Sequence, residues 1–474
     1  MASTGAQIEV HGRHVRASLP IRFVPARAHA IALRALVSSL VLGVASSALA
    51  QQIPTPRPPS VFGDSATFEM LAQAIRRSNP ELAARRAALA AAASRFRAAG
   101  FAPAAVLSAE IEEIPDGLDV AGSGSARIEL SRELLAGPVR AAQRAVELAE
   151  VERARIALDA TERRVVADAG QLLTRAVVAL SIARRLAAED SLLASADQGV
   201  RTRFAVGDAR YVDVLRLRTE RLRVQTEGAA AITDSRVARN ALLALLARPD
   251  SMAEAAAIVD SALLRLSTPT SGRAGQLVDR TVLPRAPDVD SLLAMSGAVR
   301  MTTARVTRAD AARRLAAAEQ RPQLSASVGA QRFERDNGGH TVGPTVGVAV
   351  SLPFTRSRAN RAALEAAEQD LAAARAQRVA TIAVTRGELI AARDRYEAVR
   401  ERLSLYDAAL LRGARDEREA ALASYRGGDL SLLELLDFER ALARAEIAQL
   451  QGRADAADAF FDLIGGAFTA GDQP

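Results

Sequence analysis

Two periodicities divide the chain. Residues 140–203 and 356–424 contain no proline and little glycine, and their apolar residues recur at steps of three and four. In the second stretch the stripe runs Ile382, Thr385, Leu389, Ala392, Tyr396, Val399, Leu403, Tyr406 and Leu410. At about 1.5 Å per residue each stretch makes a helix of about 100 Å, too long for a compact domain. The pattern therefore predicts a coiled coil or helical tube, with neighbouring alanines permitting close helix approach.

Shorter segments alternate with a period of two. Leu107, Ala109 and Ile111 alternate with Ser108, Glu110 and Glu112, and Ile128 and Leu130 with Arg127, Glu129 and Ser131. Farther on, Leu324, Ala326, Val328 and Ala330 alternate with Ser325, Ser327, Gly329 and Gln331, and Val346, Val348 and Val350 with Thr345, Gly347 and Ala349. Strands of about ten residues with one apolar and one polar face fit a membrane barrel with lipid outside and water inside. A soluble hairpin with one wet face shows the same alternation. Phe101, Phe333 and Phe354 near strand ends are candidates for an interfacial girdle. Four strands cannot close a barrel, and a bilayer does not tolerate open edges, so several chains must contribute. Two chains give eight strands and a filled interior, whereas three give twelve and room for an aqueous lumen. A homotrimer is the economical reading.

The pattern occurs twice. Gly207-Asp208 and Asp213 line up with Gly428-Asp429 and Glu434 at an offset of 221, Ser131 with Ser351 at 220, and Pro103 with Pro322 at 219. Three anchors at nearly one offset indicate an internal repeat of about 200 residues. Each copy reads helix, strand, strand, very long helix, tight turn, helix.

Composition narrows the function. The 474 residues hold no cysteine, no tryptophan and four histidines, three of them within the first thirty residues. Disulfides, thiolate metal sites and a cysteine nucleophile are excluded, and no triad, phosphate loop or ligand cluster appears. No catalytic, cofactor-binding or metal residue is assigned, and the acids Glu110, Glu112 and Glu113 read as a solvated face. Five arginines against one glutamate, the apolar run at 35–45 and the small-x-small end Ala48-Leu49-Ala50 read as a secretory signal cleaved after Ala50. That leader carries most of the net charge of +7, leaving about +3 and no nucleic-acid footprint. No later segment approaches 18 uninterrupted apolar residues, so no membrane-spanning helix is expected.

With these features in place the chain resembles the TolC-like outer-membrane factor family, from Asn79-Pro80-Glu81-Leu82 to Leu463-Ile464-Gly465. The pieces that carry the resemblance best are Tyr425-x-x-Gly428-x-x-Ser431-x-x-Glu434-Leu-Leu-Asp437 and Val350-Ser-Leu-Pro353-Phe354. The region Ala109-Glu-Ile-Glu-Glu-Ile-Pro-Asp resembles most the heavy-metal branch that serves cobalt–zinc–cadmium exporters. The resemblance implies a mainly α fold in which antiparallel helical coiled coils form a tunnel. Four transmembrane β-strands per chain would join a 12-stranded β-barrel shared by a homotrimer. It also implies a passive exit duct in the outer membrane with its tunnel in the periplasm. Its partners would be a periplasmic adaptor, an inner-membrane pump and outer-membrane lipid, with no cofactor and no catalysis, for metal cations or small toxic compounds. Drug efflux and type I protein secretion are the alternative cargoes. A periplasmic adaptor and a pore-less coiled-coil envelope protein are the remote alternatives.

Residue by residue, the resemblance implies a gate and cation-selectivity role for Asp213, Glu434 and Asp437. It also implies a tip contact between Tyr425 and Asp213, and adaptor docking at the turns of Phe204, Gly207 and Gly428. The arginine that such chains often carry five residues past the tyrosine is Leu430 here. The expected layout opens with a signal peptide at 1–50 and a proline-rich linker at 51–66. A first repeat at 67–247 has strands at about 103–113 and 126–134 and a tip turn at about 204–211. An irregular equatorial linker follows at 248–286. The second repeat at 287–466 has strands at about 322–333 and 344–354 and a tip turn at about 425–432, before a tail at 467–474.

Overall fold

The structure is a computed structural model, and it describes residues 65–101, 104–112, 125–134, 137–207, 209–246, 252–267, 283–334, 340–351, 357–427 and 429–466. The expected signal peptide, most of the proline-rich linker, Pro103, Glu113, Phe354, Gly428 and the tail lie outside these residues, as do the side chains of Glu112 and Phe333.

The elements in chain order are α1 (Ser65–Ser78), α2 (Pro80–Ala98), β1 (Val106–Glu112), β2 (Ser125–Leu134), α3 (Gly137–Ala205) and α4 (Tyr211–Leu246). After these come α5 (Met252–Ser267), α6 (Val289–Met295), α7 (Gly297–Glu319), β3 (Gln323–Glu334) and β4 (His340–Ser351). The chain ends with α8 (Ser357–Leu405), a π-helical turn (Tyr406–Leu410), α9 (Leu411–Gly427) and α10 (Leu432–Gly466). The succession strand, strand, long helix, turn, helix occurs twice.

The four strands form one antiparallel meander in the order β1-β2-β3-β4. Its register sets Leu107 opposite Leu130, Leu130 opposite Val328, and Val328 opposite Val346. The alternating positions thereby merge into one apolar face that crosses all four strands. This face is bare: Leu107 is 69%, Val346 82% and Val348 69% exposed. The other face is polar, with the Arg127 guanidinium donating to Gln331 Oε1 at 3.0 and 3.3 Å. Glycine holds this polar face where strands crowd, since a Cβ on Gly329 would come within 2.3 Å of the Ile128 carbonyl oxygen. β4 begins at His340 because pairing continues through Val342↔Arg332 to His340↔Glu334. Pro344 sits in this strand at the sheet edge, where a missing N–H is tolerated. Phe101, at the β1 end, is exposed.

Each strand continues into one helix: α2 enters β1, β2 leads into α3, α7 enters β3 and β4 leads into α8. These helices pack in the same order, α2 on α3, α3 on α7 and α7 on α8. Toward the turns α4 replaces α2 beside α3, and α10 replaces α7 between α3 and the α8–α9 strut. At the first changeover Asn79 serves both helices. Its Oδ1 accepts from the Leu82 N–H at 3.0 Å as the N-cap of α2, and its Nδ2 donates to the Leu245 carbonyl of α4 at 2.8 Å. Pro80 at the first helical position and Glu81 in the first turn complete a favourable start.

The main core lies at these changeovers. Leu71 and Ile75 of α1, Leu173 of α3, Leu242 of α4, Val259 of α5, Leu292 of α6, Leu389 and Tyr396 of α8 and Phe460 of α10 pack together. The Tyr396 hydroxyl donates to the Pro284 carbonyl at 2.5 Å, and its ring lies 5.4 Å from Phe460. Burial holds this phenol's pKa up at about 12, so it stays a donor. α3 contains a stretch apolar enough to cross a bilayer by composition, but most of it is buried inside the chain as core.

Two expectations are corrected. Residues 252–267, expected as part of an irregular linker, form helix α5. Ala255, Val259, Ala262, Leu263 and Leu266 fall on one face at steps of three and four, and that face is buried in the core. The second long helix is interrupted by its π-helical turn, which inserts a residue into the seam. The stripe holds through Leu403 and Tyr406, which both pack beside Gly452 of α10, but the next seam residue is Leu411, 5% exposed, while Leu410 turns outward.

Gly170 of α3 faces Phe461, and a Cβ there would lie 2.3 Å from the ring. Gly170→Ala should lower stability by about 1–3 kcal/mol through overpacking. Gly199→Ala, in the same helix with nothing within 4 Å, should be neutral or gain up to about 1 kcal/mol. Unfolding of the detergent-solubilised protein, followed by circular dichroism, separates the two.

Candidate functional site

The first turn joins α3 to α4 in five residues, 206–210. Gly207 adopts φ +82°, the left-handed region that glycine enters without cost, and its N–H donates to the Phe204 carbonyl at 3.0 Å. The Phe204 and Tyr211 rings close over the turn at 5.6 Å, and both remain exposed. At the second turn the Asp429 N–H donates to the Ser424 carbonyl at 3.0 Å. Both turns lie at one end of the helical layer, because Ala209 and Val214 share an apolar cluster with Leu432, Leu433 and Leu436.

The three acids expected here occupy different settings. Ser431 and Glu434 form a capping box: the Ser431 N–H and hydroxyl donate to Glu434 Oε2 at 2.8 and 2.7 Å, and the Glu434 N–H donates back to Ser431 Oγ at 3.3 Å. These bonds from Ser431 favour the carboxylate and hold the Glu434 pKa below its ordinary value. The spacing Ser-x-x-Glu before an apolar run thus has a local structural role, and the Glu434 carboxylate is committed to it.

Asp437 points away from this cap. It is 68% exposed and accepts from Arg440 at 2.6 Å. Asp213, in the first turn of α4, is buried. One of its oxygens lies 3.4 Å from Arg210 Nε and the other is buried with no hydrogen-bond partner. Tyr425 is partly exposed and makes no hydrogen bond to Asp213 among the described residues.

A charge network missed by sequence reasoning joins the elements around these acids. Arg440 of α10 pairs with Glu220 of α4 at 2.8 Å as well as with Asp437, and Arg223 reaches Glu220 and, at 2.9 Å, Glu227. Burial opposes ionisation of Glu220, but the Arg223 hydrogen bond and the Arg440 charge outweigh it and lower its pKa. Glu189 of α3 behaves oppositely, since burial raises its pKa against the pull of Arg185 and Arg223. Arg185 in turn pairs with Glu446 of α10. Its local pairs, Glu220–Arg223, Arg223–Glu227 and Asp437–Arg440, have helical spacings visible in the sequence, whereas the links between helices do not. Among the described residues no group of three potential ligands could hold a metal ion.

The residues that surround the second turn, with β3, β4 and their flanking helices, match the family model for outer membrane efflux protein over residues 289–465. The family is one of efflux channels rather than enzymes. No curated protein matches the chain by sequence. Solved structures resemble it along most of its length. The outer-membrane channel OprN is 21% identical with a TM-score of 0.66, covering 88% of this chain and 94% of that one. The outer membrane protein VceC from Vibrio cholerae is 18% identical with a TM-score of 0.62, covering 85% and 96%. The open state of the MtrE outer membrane channel of Neisseria gonorrhoeae is 17% identical with a TM-score of 0.66, covering 85% and 89%. The chain therefore has the fold of these channels, and the efflux domain match falls on its second repeat.

Ser431→Ala should remove the cap of α10 at a cost of about 1 kcal/mol. Amide exchange at Glu434 and Leu435 should accelerate while the core amides of α3 stay unchanged. Because the Glu434 pKa is lowered on folding, its contribution is present above the unfolded carboxylate's pKa and is lost as pH falls through the folded one. The wild-type cap should therefore loosen on acidification, and the Glu434→Gln variant should not follow that trend.

Proposed function

We propose that the chain is a passive exit duct of a tripartite efflux system: a homotrimer spanning the outer membrane, with its helical layer closed into a periplasmic tunnel. The observation that carries this reading is the bare apolar face of the meander, with Leu107, Val346 and Val348 exposed and a polar face behind them. Lipid is the medium that makes such a face favourable, at about 25 cal/mol for each Å² removed from water. Three copies supply twelve strands and leave no edge, while the polar face lines water. The efflux domain match supports the same reading. Export through a signal peptide cleaved after Ala50 is part of it.

At the turn end, threefold symmetry would set one acid of each copy around the axis. Asp437, exposed and off the cap, is the strongest candidate for a cation-selective ring. Asp213, with Tyr425 as its tip contact, is the candidate for a closing latch, and Glu434 supports both by fixing the start of α10. The exposed rings of Phe204 and Tyr211 and the turns at Gly207 and Gly428 would meet a periplasmic adaptor, which links the duct to an inner-membrane pump. We infer metal cations as cargo from the resemblance of residues 109–116 to the heavy-metal branch.

Purified protein in planar bilayers should conduct, with a preference for cations that Asp437→Ala reduces and Asp213→Ala/Asp437→Ala reduces further. A deletion strain should become sensitive to zinc, cobalt and cadmium while drug tolerance holds. Absence of the protein from outer-membrane fractions would sink the proposal, and sensitivity to drugs alone would replace metal cations with drugs as cargo.

A further inference from the structure

The helical layer is open at both sides in a single chain, as the sheet is. Near the turns the order is α4, α3, α10, α9, so α4 and α9 are its edges. α4 buries Leu217, Val224 and Ala231, and α9 buries Leu411, Ala414 and Ala421. Their opposite faces have no neighbour near the turns among the described residues and differ in character. On α4 the far face presents Leu215 and Leu222, both exposed, with Arg218 between them. On α9 it presents Ala420 and Ala423, also exposed, flanked by Glu419. Arg218 and Glu419 have no ion-pair partner among the described residues.

We propose that α4 of one copy docks along α9 of the next, with Leu215 packing over Ala423 and Arg218 pairing with Glu419. Resting on the trimer reading above, the proposal assigns the faces and register that close the ring. The heights agree. Leu215 lies four residues into α4 and Ala423 four residues before the end of α9, while Arg218 lies seven in and Glu419 eight before the end. At about 1.5 Å per residue each pair sits at one level above the turns. Large residues on one edge against small ones on the other allow two helices to approach closely. The contact is heterologous, using two different faces of each copy, and so generates a ring. Both edges carry this complementarity where the helices run beside the turns.

The chain has no cysteine, so introduced thiols report only the designed pair. Full-length Leu215→Cys/Ala423→Cys and Arg218→Cys/Glu419→Cys, oxidised or treated with a short bis-maleimide, should give a covalent ladder ending at the trimer on denaturing gels. Each single-cysteine variant should give none. In the Leu215→Cys/Ala423→Cys background, Arg218→Glu should lower ladder yield about two- to fivefold, and adding Glu419→Arg should restore it. Native mass spectrometry of the uncrosslinked protein separates the outcomes. Trimers without a ladder at either pair overturn this interface and leave the trimer standing, whereas monomers overturn both.

Discussion

Every backbone N–H and C=O inside a bilayer has to find its partner in protein, and a four-stranded meander leaves two rows of them open. β1 and β4 are those rows. Among the described residues no further strand pairs with either edge, and the long helices α3 and α8 lead away from β2 and β4. In the proposed trimer further copies would supply the missing partners, and the helices would then have to close at the same circumference. One helix column leaves each strand, and the columns pack in strand order, so closure of the sheet would bring the helices to closure with it.

The changeover level makes this possible with helices of unequal length. α3 and α8 run past it, while α2 gives way to α4 and α7 to α10. A helix end leaves backbone carbonyls and N–H groups without partners, and two ends meeting in a core would be costly. Asn79 answers both ends with one buried side chain, accepting from α2 and donating to α4. Beside it the aromatic residues Tyr396, Phe460 and Phe461 fill the volume that four columns and the added helices α1, α5 and α6 enclose. The absence of tryptophan and the scarcity of aromatics are compatible with this, because alanine-lined columns pack closely and large side chains are needed only where helices change partners.

Much of this was legible in the sequence, and the exceptions have physical causes. The strand alternation was readable because one face is apolar without interruption from Leu107 to Val350. The seam from Ile382 to Leu403 was readable because a regular helix keeps its phase; at Leu410 it failed because a π-helical turn adds one residue that no spacing rule foresees. Residues 252–267 were misjudged because three prolines nearby, Pro249, Pro269 and Pro284, suggested irregularity, although the apolar steps between them were helical. The Glu434 cap was encoded in its local Ser-x-x-Glu spacing. Glu220 and Arg440 were not, since their contact joins two helices more than two hundred residues apart.

The charges at the turn end follow from this packing. The cations paired at this end are all arginine, which does not titrate in the ordinary range, so among these pairs only the carboxylates can respond to pH. Glu220 is held ionised between two arginines, and Glu434 by its cap. Asp213 has fewer partners. Its partner Arg210 is 80% exposed at 3.4 Å, and its second oxygen is buried without a donor. A buried acceptor without a donor is costly, and a neighbouring copy that supplies one recovers that cost. A latch built on Asp213 would therefore draw its strength from an oxygen the single chain leaves unsatisfied, while the paired Glu220 and Arg440 keep the helices behind it fixed.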